Sequence, residues 1–247
     1  MKNLLKPLLA TAVASCLFGI SSEAAAGPLD FDRKSFFILS AERMFGFNYS
    51  SIKSEQTQGN TTTTNTINTT GIGLLSPSGG NPFSTPSLGL HYSVIPALTI
   101  GASLGLTRTS TSTTLEQGGT KVETEGDPTT TILVAPRVGY VFGFTNAVYL
   151  WARGGISYYR SSTSSEQTVG NNKTTTESTN SGLALSLDPM LVITPVNRFG
   201  ITLGPVFDIG LSGADKTETN SGSTTTTTER DVKTSNYGLQ FGILGYI

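Results

Sequence analysis

His91 is the only histidine among 247 residues, so any catalysis by a Ser–His or His–acid pair must pass through it. Ser93 lies two positions on, which in an extended strand is the same face, and a hydroxyl beside an imidazole is the start of an activated nucleophile. Asp188 or Asp208 would then orient the ring, the third role this chemistry needs. Pattern alone does not bring distant positions together. A lone histidine on a polar face serves equally well in a buried hydrogen-bond network. Arg137, Arg153, Asp188 and Asp208 join it in that reading as ion pairs, with Glu42 a further candidate, because desolvated charges must be paired.

Other chemistries are excluded more simply. One Cys and one His do not make a metal cage, and no acidic calcium-loop pattern occurs, so no metal is expected. Gly71-Ile72-Gly73 lacks the further glycine and the helix of a phosphate-binding loop, so no cofactor is expected. With 16 basic against 17 acidic residues and no Lys/Arg run, the chain has no electrostatic footprint for nucleic acid.

The elements that would hold these groups are strands. Hydrophobic residues make up 36% and charged residues 13%, and the balance is taken by 28 glycines and 38 threonines. Threonine favours strands and abundant glycine opposes long helices. Eight segments alternate by side: 35–50, 87–95, 98–109, 129–142, 147–160, 182–193, 199–212 and 235–247. In the third, Leu98, Ile100, Ala102, Leu104 and Leu106 face away from Thr99, Gly101, Ser103 and Gly105.

Gap lengths decide between architectures. Long connections (51–86, 110–128, 161–181, 213–234) alternate with short ones at Pro96-Ala97, Gly143–Asn146 and Thr194–Arg198. All long loops therefore emerge at one end of an up-and-down meander, the layout of an outer-membrane barrel. Backbone can cross lipid in strands only when the sheet closes, which leaves apolar residues outside and polar ones inside. The polar face here carries His91, Arg137, Arg153, Asp188, Asp208 and Gln240. Aromatics collect at both strand ends, with Phe142, Phe144, Tyr149, Phe199 and Tyr246 by the short turns and Phe47, Tyr49, Tyr158 and Tyr237 by the long loops. The expected fold is all-β: an eight-stranded antiparallel up-and-down transmembrane β-barrel. Its interior is just wide enough to be filled by side chains, which argues against a diffusive pore.

Adjacent Glu42 and Arg43 conflict with strict alternation, which sends one of them to lipid at a cost of about 2–4 kcal/mol for Arg at the midplane. A bulge near Ala41–Arg43, or an interfacial position, removes the conflict.

The long loops resemble one another. Ser54-Glu55-Gln56-Thr57-Gln58-Gly59-Asn60 recurs as Ser165-Glu166-Gln167-Thr168-Val169-Gly170-Asn171. Each has Gly or Asn at its centre and Thr on both sides, which predicts strands continuing as projecting hairpins. The first loop should be least regular, since Pro77, Gly79, Gly80, Pro82 and Pro86 break its returning arm.

Residues 1–26 form a secretory signal peptide: Lys2 and Lys6, an apolar stretch from Leu8 to Ile20, and cleavage after Ala26, leaving residues 27–247 as one barrel domain. Val13-Ala14-Ser15-Cys16 is the weaker alternative, a lipobox that would acylate Cys16.

The signal peptide, the alternating connections and the terminal Asn236-Tyr237-Gly238-Leu239-Gln240-Phe241-Gly242-Ile243 together resemble the small OmpA/OmpX-type outer-membrane barrels. The resemblance implies location in the outer membrane of a Gram-negative bacterium, contact with outer-membrane lipid, and a final strand read by the barrel assembly machinery at Asn236, Gly238, Phe241 and Ile243. The residues themselves are read as those of a non-catalytic surface protein whose loops 51–86, 110–128, 161–181 and 213–234 serve structural roles or bind an extracellular ligand, which neither the sequence nor the resemblance identifies. The alternative is a lipid-modifying barrel enzyme using His91 and Ser93 with Asp188 or Asp208. Such enzymes gather these groups near one rim, whereas Ser93 lies close to a short turn.

Overall fold

The computed structural model describes residues 35–247 apart from 59–60, 76, 78–79, 111, 118–119, 170–171 and 222–223. The signal peptide, its cleavage site and the lipobox lie outside the described residues. Eleven strands are formed: β1 (Phe37–Gln58), β2 (Thr61–Leu74), β3 (Ser87–Ile95), β4 (Leu98–Thr109), β5 (Ser112–Gln117), β6 (Thr120–Glu125), β7 (Thr129–Thr145), β8 (Val148–Val169), β9 (Asn172–Val196), β10 (Phe199–Ser221) and β11 (Thr224–Tyr246). Eight of them, β1, β3, β4 and β7–β11, form an antiparallel ring that β11 closes on β1. These eight correspond to the eight alternating segments of the sequence, apart from residues 35–36, 147 and 247 at segment ends. Every pairing in the ring joins chain neighbours or the two ends, so each connection is a simple turn or hairpin.

The other three strands are hairpin extensions. β2 returns beside the outer half of β1, Phe45 facing Leu74 and Gln58 facing Thr61. β5 and β6 pair only with each other. The remaining long connections are continued barrel strands, for β8 runs unbroken to Val169 and β10 to Ser221. At the opposite end the connections shorten to two-residue turns, and Ala97 and Arg198 take positive φ in two of them.

Alternation sorts the side chains. Leu104, Leu106, Ile132, Val138, Leu187, Leu203 and Leu239 are exposed on the outside, whereas Ser103, Arg137, Ser186, Asp188, Asp208 and Gln240 are buried inside. A water-soluble barrel has the reverse polarity. An apolar belt around a polar interior is stable only with hydrocarbon against it, so this is a membrane-spanning barrel.

β1 breaks the pattern once. Ala41 faces Ile243 and Phe45 faces Phe241, so three residues, Glu42–Met44, oppose Gly242 alone. Arg43 takes φ 56° in this bulge, and both Glu42 and Arg43 turn inward and are buried. Of the two escapes open to the sequence, the bulge is the one adopted. It lies where β1 exchanges one neighbour for another, β3 below and β2 above. Gly242 is required there, since a Cβ would stand 2.6 Å from the Ala41 carbonyl and 2.8 Å from Thr202 Oγ1.

Candidate functional site: the barrel interior

The interior is stacked in three levels. Near the short turns, Ile38, Val141, Tyr149, Trp151, Val192 and Leu244 form an apolar floor. Tyr149 therefore corrects the expected aromatic girdle. It shares the inward parity of Trp151 and Arg153 on β8, and its hydroxyl donates to the Asn146 carbonyl at 2.9 Å. Trp151 Nε1 donates to Thr99 Oγ1 at 3.0 Å, which satisfies the one polar atom of the indole.

The middle level holds the charges. Arg43 forks onto Asp208 with bonds of 2.9 and 3.0 Å and approaches Asp188 at 3.5 Å. Arg137 Nε donates to Asp188 at 3.1 Å, and its Nη1 donates to Ser157 Oγ at 3.1 Å. Arg153 pairs with Glu42, stacks over the Trp151 ring at 4.5 Å and lies 3.8 Å from Asp188. Ser186 and Asn236 donate to Asp208 at 2.5 and 2.9 Å, while Ser103 donates to Glu42 at 2.9 Å. Three guanidinium groups thus face three carboxylates, and each of the six charges has an opposite partner within the barrel. Pairing of this kind, completed by hydroxyl donors, is what makes buried charge tolerable.

The candidate catalytic residues do not converge. His91 Nε2 lies 3.3 Å from Glu42 Oε1, its ring stands edge-to-face on Trp151 at 4.8 Å, and Nδ1 has no hydrogen-bond partner. Ser93 Oγ donates instead to the Ile95 carbonyl at 3.2 Å, beside the short turn. Asp188 and Asp208 are held by arginines and do not orient the imidazole. Glu42, inward by the same alternation as Ile38 and Ser40, puts a different carboxylate on His91, and the bulge turns Arg43 inward to take Asp208.

The hairpin end of the interior has a cap. After β2 the chain folds back over the mouth, and a single 3-10 turn at Pro82–Ser84 buries Phe83 completely against Leu133, Tyr159 and Ala184. Phe83 meets Tyr159 edge-to-face at 4.9 Å. Asn81 pins the turn by accepting from Phe83 N at 2.9 Å while donating to Ser50 Oγ at 2.7 Å and the Ser235 carbonyl at 3.2 Å. Tyr159 donates to Asn180 Oδ1 at 2.5 Å. The arm that its prolines and glycines mark as irregular is thus a plug.

Sequence reasoning missed Arg43 as an interior partner, along with Asn81, Phe83 and Trp151. Parity along β8 would have found Trp151, two residues before Arg153. The cost of exposing a charge to lipid pointed at Arg43 without choosing its direction. No periodicity marks Asn81 or Phe83.

At the terminal motif, Asn236 faces inward onto Asp208, and Phe241 and Ile243 lie on the other face of β11. A Cβ on Gly238 would stand 2.5 Å from the Phe47 carbonyl oxygen and closer still to Asn48 Oδ1.

Ring closure and inside-out polarity define the class as an eight-stranded transmembrane β-barrel. No family model matches the chain, and no curated protein matches it in sequence. Among solved structures it is similar to the attachment invasion locus protein Ail of Yersinia pestis, with 15% identity, TM-score 0.33, and coverage of 86% of this chain and 99% of that one. It is also similar to the outer membrane protease OmpT of Escherichia coli, with 8% identity, TM-score 0.40, and coverage of 92% and 99%. A third is the outer membrane protein AlkL, with 10% identity, TM-score 0.45, and coverage of 92% and 94%.

Proposed function

We propose that the chain is a non-catalytic surface protein of the Gram-negative outer membrane, exported by cleavage after Ala26, whose barrel anchors projecting hairpins that bind an extracellular ligand. The observation that carries this reading is that each interior charge is paired with another interior charge. A general base or nucleophile must keep a lone pair or proton available to substrate, and here Glu42, Asp188 and Asp208 each hold an arginine. The floor and cap close the polar level from both ends, which supports an anchor over a pore. The hairpins, rich in hydroxyls, are what the molecule offers to its surroundings.

Assembly-machinery recognition through Asn236, Gly238, Phe241 and Ile243 belongs to the same proposal. The test is hairpin removal in whole cells. Shortening 110–128 or 213–234 should abolish attachment while the barrel still migrates as a folded species on unheated gels. His91→Ala should change no lipid composition. Loss of a lipid modification in His91→Ala, with the barrel folded, would falsify the non-catalytic reading.

A further inference from the structure

β2 is the side limit of the projecting sheet. β1 is its only strand partner, and from Thr63 to Thr70 no further strand lies along its other edge among the described residues. Such an edge offers a row of backbone donors and acceptors, and proteins normally blunt it with lysine, proline or a bulge. Thr63-Thr64-Asn65-Thr66-Ile67-Asn68-Thr69-Thr70 has none of these and carries no charge. The other projecting strands of that sheet do carry charge, as at Lys53, Glu166, Glu177, Asp215 and Arg230. Among the described residues, shorter open stretches also occur on β8 beyond Thr163, on β11 beyond Asp231 and along β5 and β6, and all of them include charged residues.

We propose that β2 pairs antiparallel with β2 of a second copy of this chain, and that the second copy stands in an apposed membrane. The identity of the partner follows from charge. When a strand meets itself, any ionised residue can be set against its own kind, and like charges opposite one another destabilise a sheet. On β2 every register opposes Thr, Asn or Ile to Thr, Asn or Ile, and Thr–Thr and Thr–Asn pairs add cross-strand hydrogen bonds.

The orientation follows from direction. β2 descends from the hairpin tip to Leu74, which faces the lipid-side Phe45 of β1. An antiparallel neighbour must ascend, so its own barrel lies beyond the tips. Two copies in one bilayer present parallel β2 strands and cannot make this pairing. Eight residues extend ~26 Å, so the contact draws two bilayers to within a few tens of ångströms. A single edge contact of this length is weak, and an array of copies across two facing surfaces adds avidity. The inference rests on the binding reading above and names its partner.

The test is vesicle tethering. The mature full-length barrel is reconstituted in phosphatidylcholine vesicles with hairpins outward, verified by tryptic cutting at Lys53, and clustering is followed by light scattering. Wild-type vesicles should cluster in proportion to protein density. The double variant Thr64→Lys with Thr66→Lys should cluster at least tenfold less, as should Ile67→Glu with Thr69→Glu, whose positions oppose 66 and 64 when all eight residues pair. Mixing the Lys vesicles with the Glu vesicles should restore clustering, an outcome that misfolding cannot produce. Thr226→Lys on β11 should leave it unchanged.

Dispersed wild-type vesicles, unimpaired Lys vesicles, a failed mixture, or loss of clustering in Thr226→Lys each overturns the pairing. So does a disulfide-linked dimer of Thr66→Cys in vesicles that never cluster, which would place the partner in the same bilayer. If vesicles stay dispersed while hairpin removal from cells still abolishes attachment, the self-pairing fails and the binding reading stands. If hairpin removal also changes nothing, the binding reading falls as well.

Discussion

Asp208 and Thr219 lie on the same strand, β10, and are held in opposite ways. Asp208 is wholly buried and takes bonds from Arg43, Ser186 and Asn236, residues on three other strands. Thr219 belongs to a hairpin and is itself aligned by backbone pairing, with Thr176 on one side and Thr226 on the other. The interior is specific because each of its charges has an assigned opposite partner across the barrel. The hairpins are regular because one threonine can replace another. Side-chain identity therefore matters intensely in one region and little in the other, although the backbone ladder runs through both.

The widest separation between the regions should come from charge. Asp208→Ala leaves Arg43 buried without its bidentate partner and should cost about 3–5 kcal/mol, read from urea unfolding in vesicles. A loss below about 1 kcal/mol would mean that the interior charges are not coupled as described. Next comes the cap. Phe83→Ala empties the contact with Leu133, Tyr159 and Ala184 and should cost about 3 kcal/mol. Because it also loosens the mouth, it should raise single-channel conductance in planar bilayers, whereas an unaltered conductance would place the seal elsewhere.

Thr226→Ala, deep in the hairpin region, should stay within about 0.5 kcal/mol of wild type in the same urea assay. A larger loss would show side-chain specificity where only backbone order is visible. The smallest effect concerns Glu55. The Lys53 ammonium, hydrogen-bonded at 2.7 Å, holds its carboxyl below the ordinary carboxylate value, with Lys233 adding to the effect. Since the folded form binds this proton less readily, the contribution is complete above the ordinary value and disappears as pH falls through the lowered one. Carbon-13 titration of Glu55 should show its midpoint rising toward the ordinary value in Lys53→Ala.

Much of this molecule could be read along the chain. Gly182–Ile193 alternates without interruption and its burial follows residue by residue, while Leu98–Leu106 follows the same alternation except at Gly101-Ala102. The projecting hairpins were legible too, for Gln58 pairs with Thr61 and Val169 with Asn172. The site was legible only in part. Arg137, Arg153, Asp188 and Asp208 could be assigned to the inside from parity, but not to one another.

By itself, then, the sequence determined strand number, the end from which the hairpins emerge, and which face meets lipid. These are local properties, written in a period of two residues and in the lengths between turns. Only the tertiary structure decided that Arg43 reaches Asp208, that Glu42 displaces both aspartates from His91, and that Asn81 and Phe83 return to seal the mouth. A bulge turns inward a residue that alternation alone sends outward, and partners 165 residues apart meet only once the ring has closed.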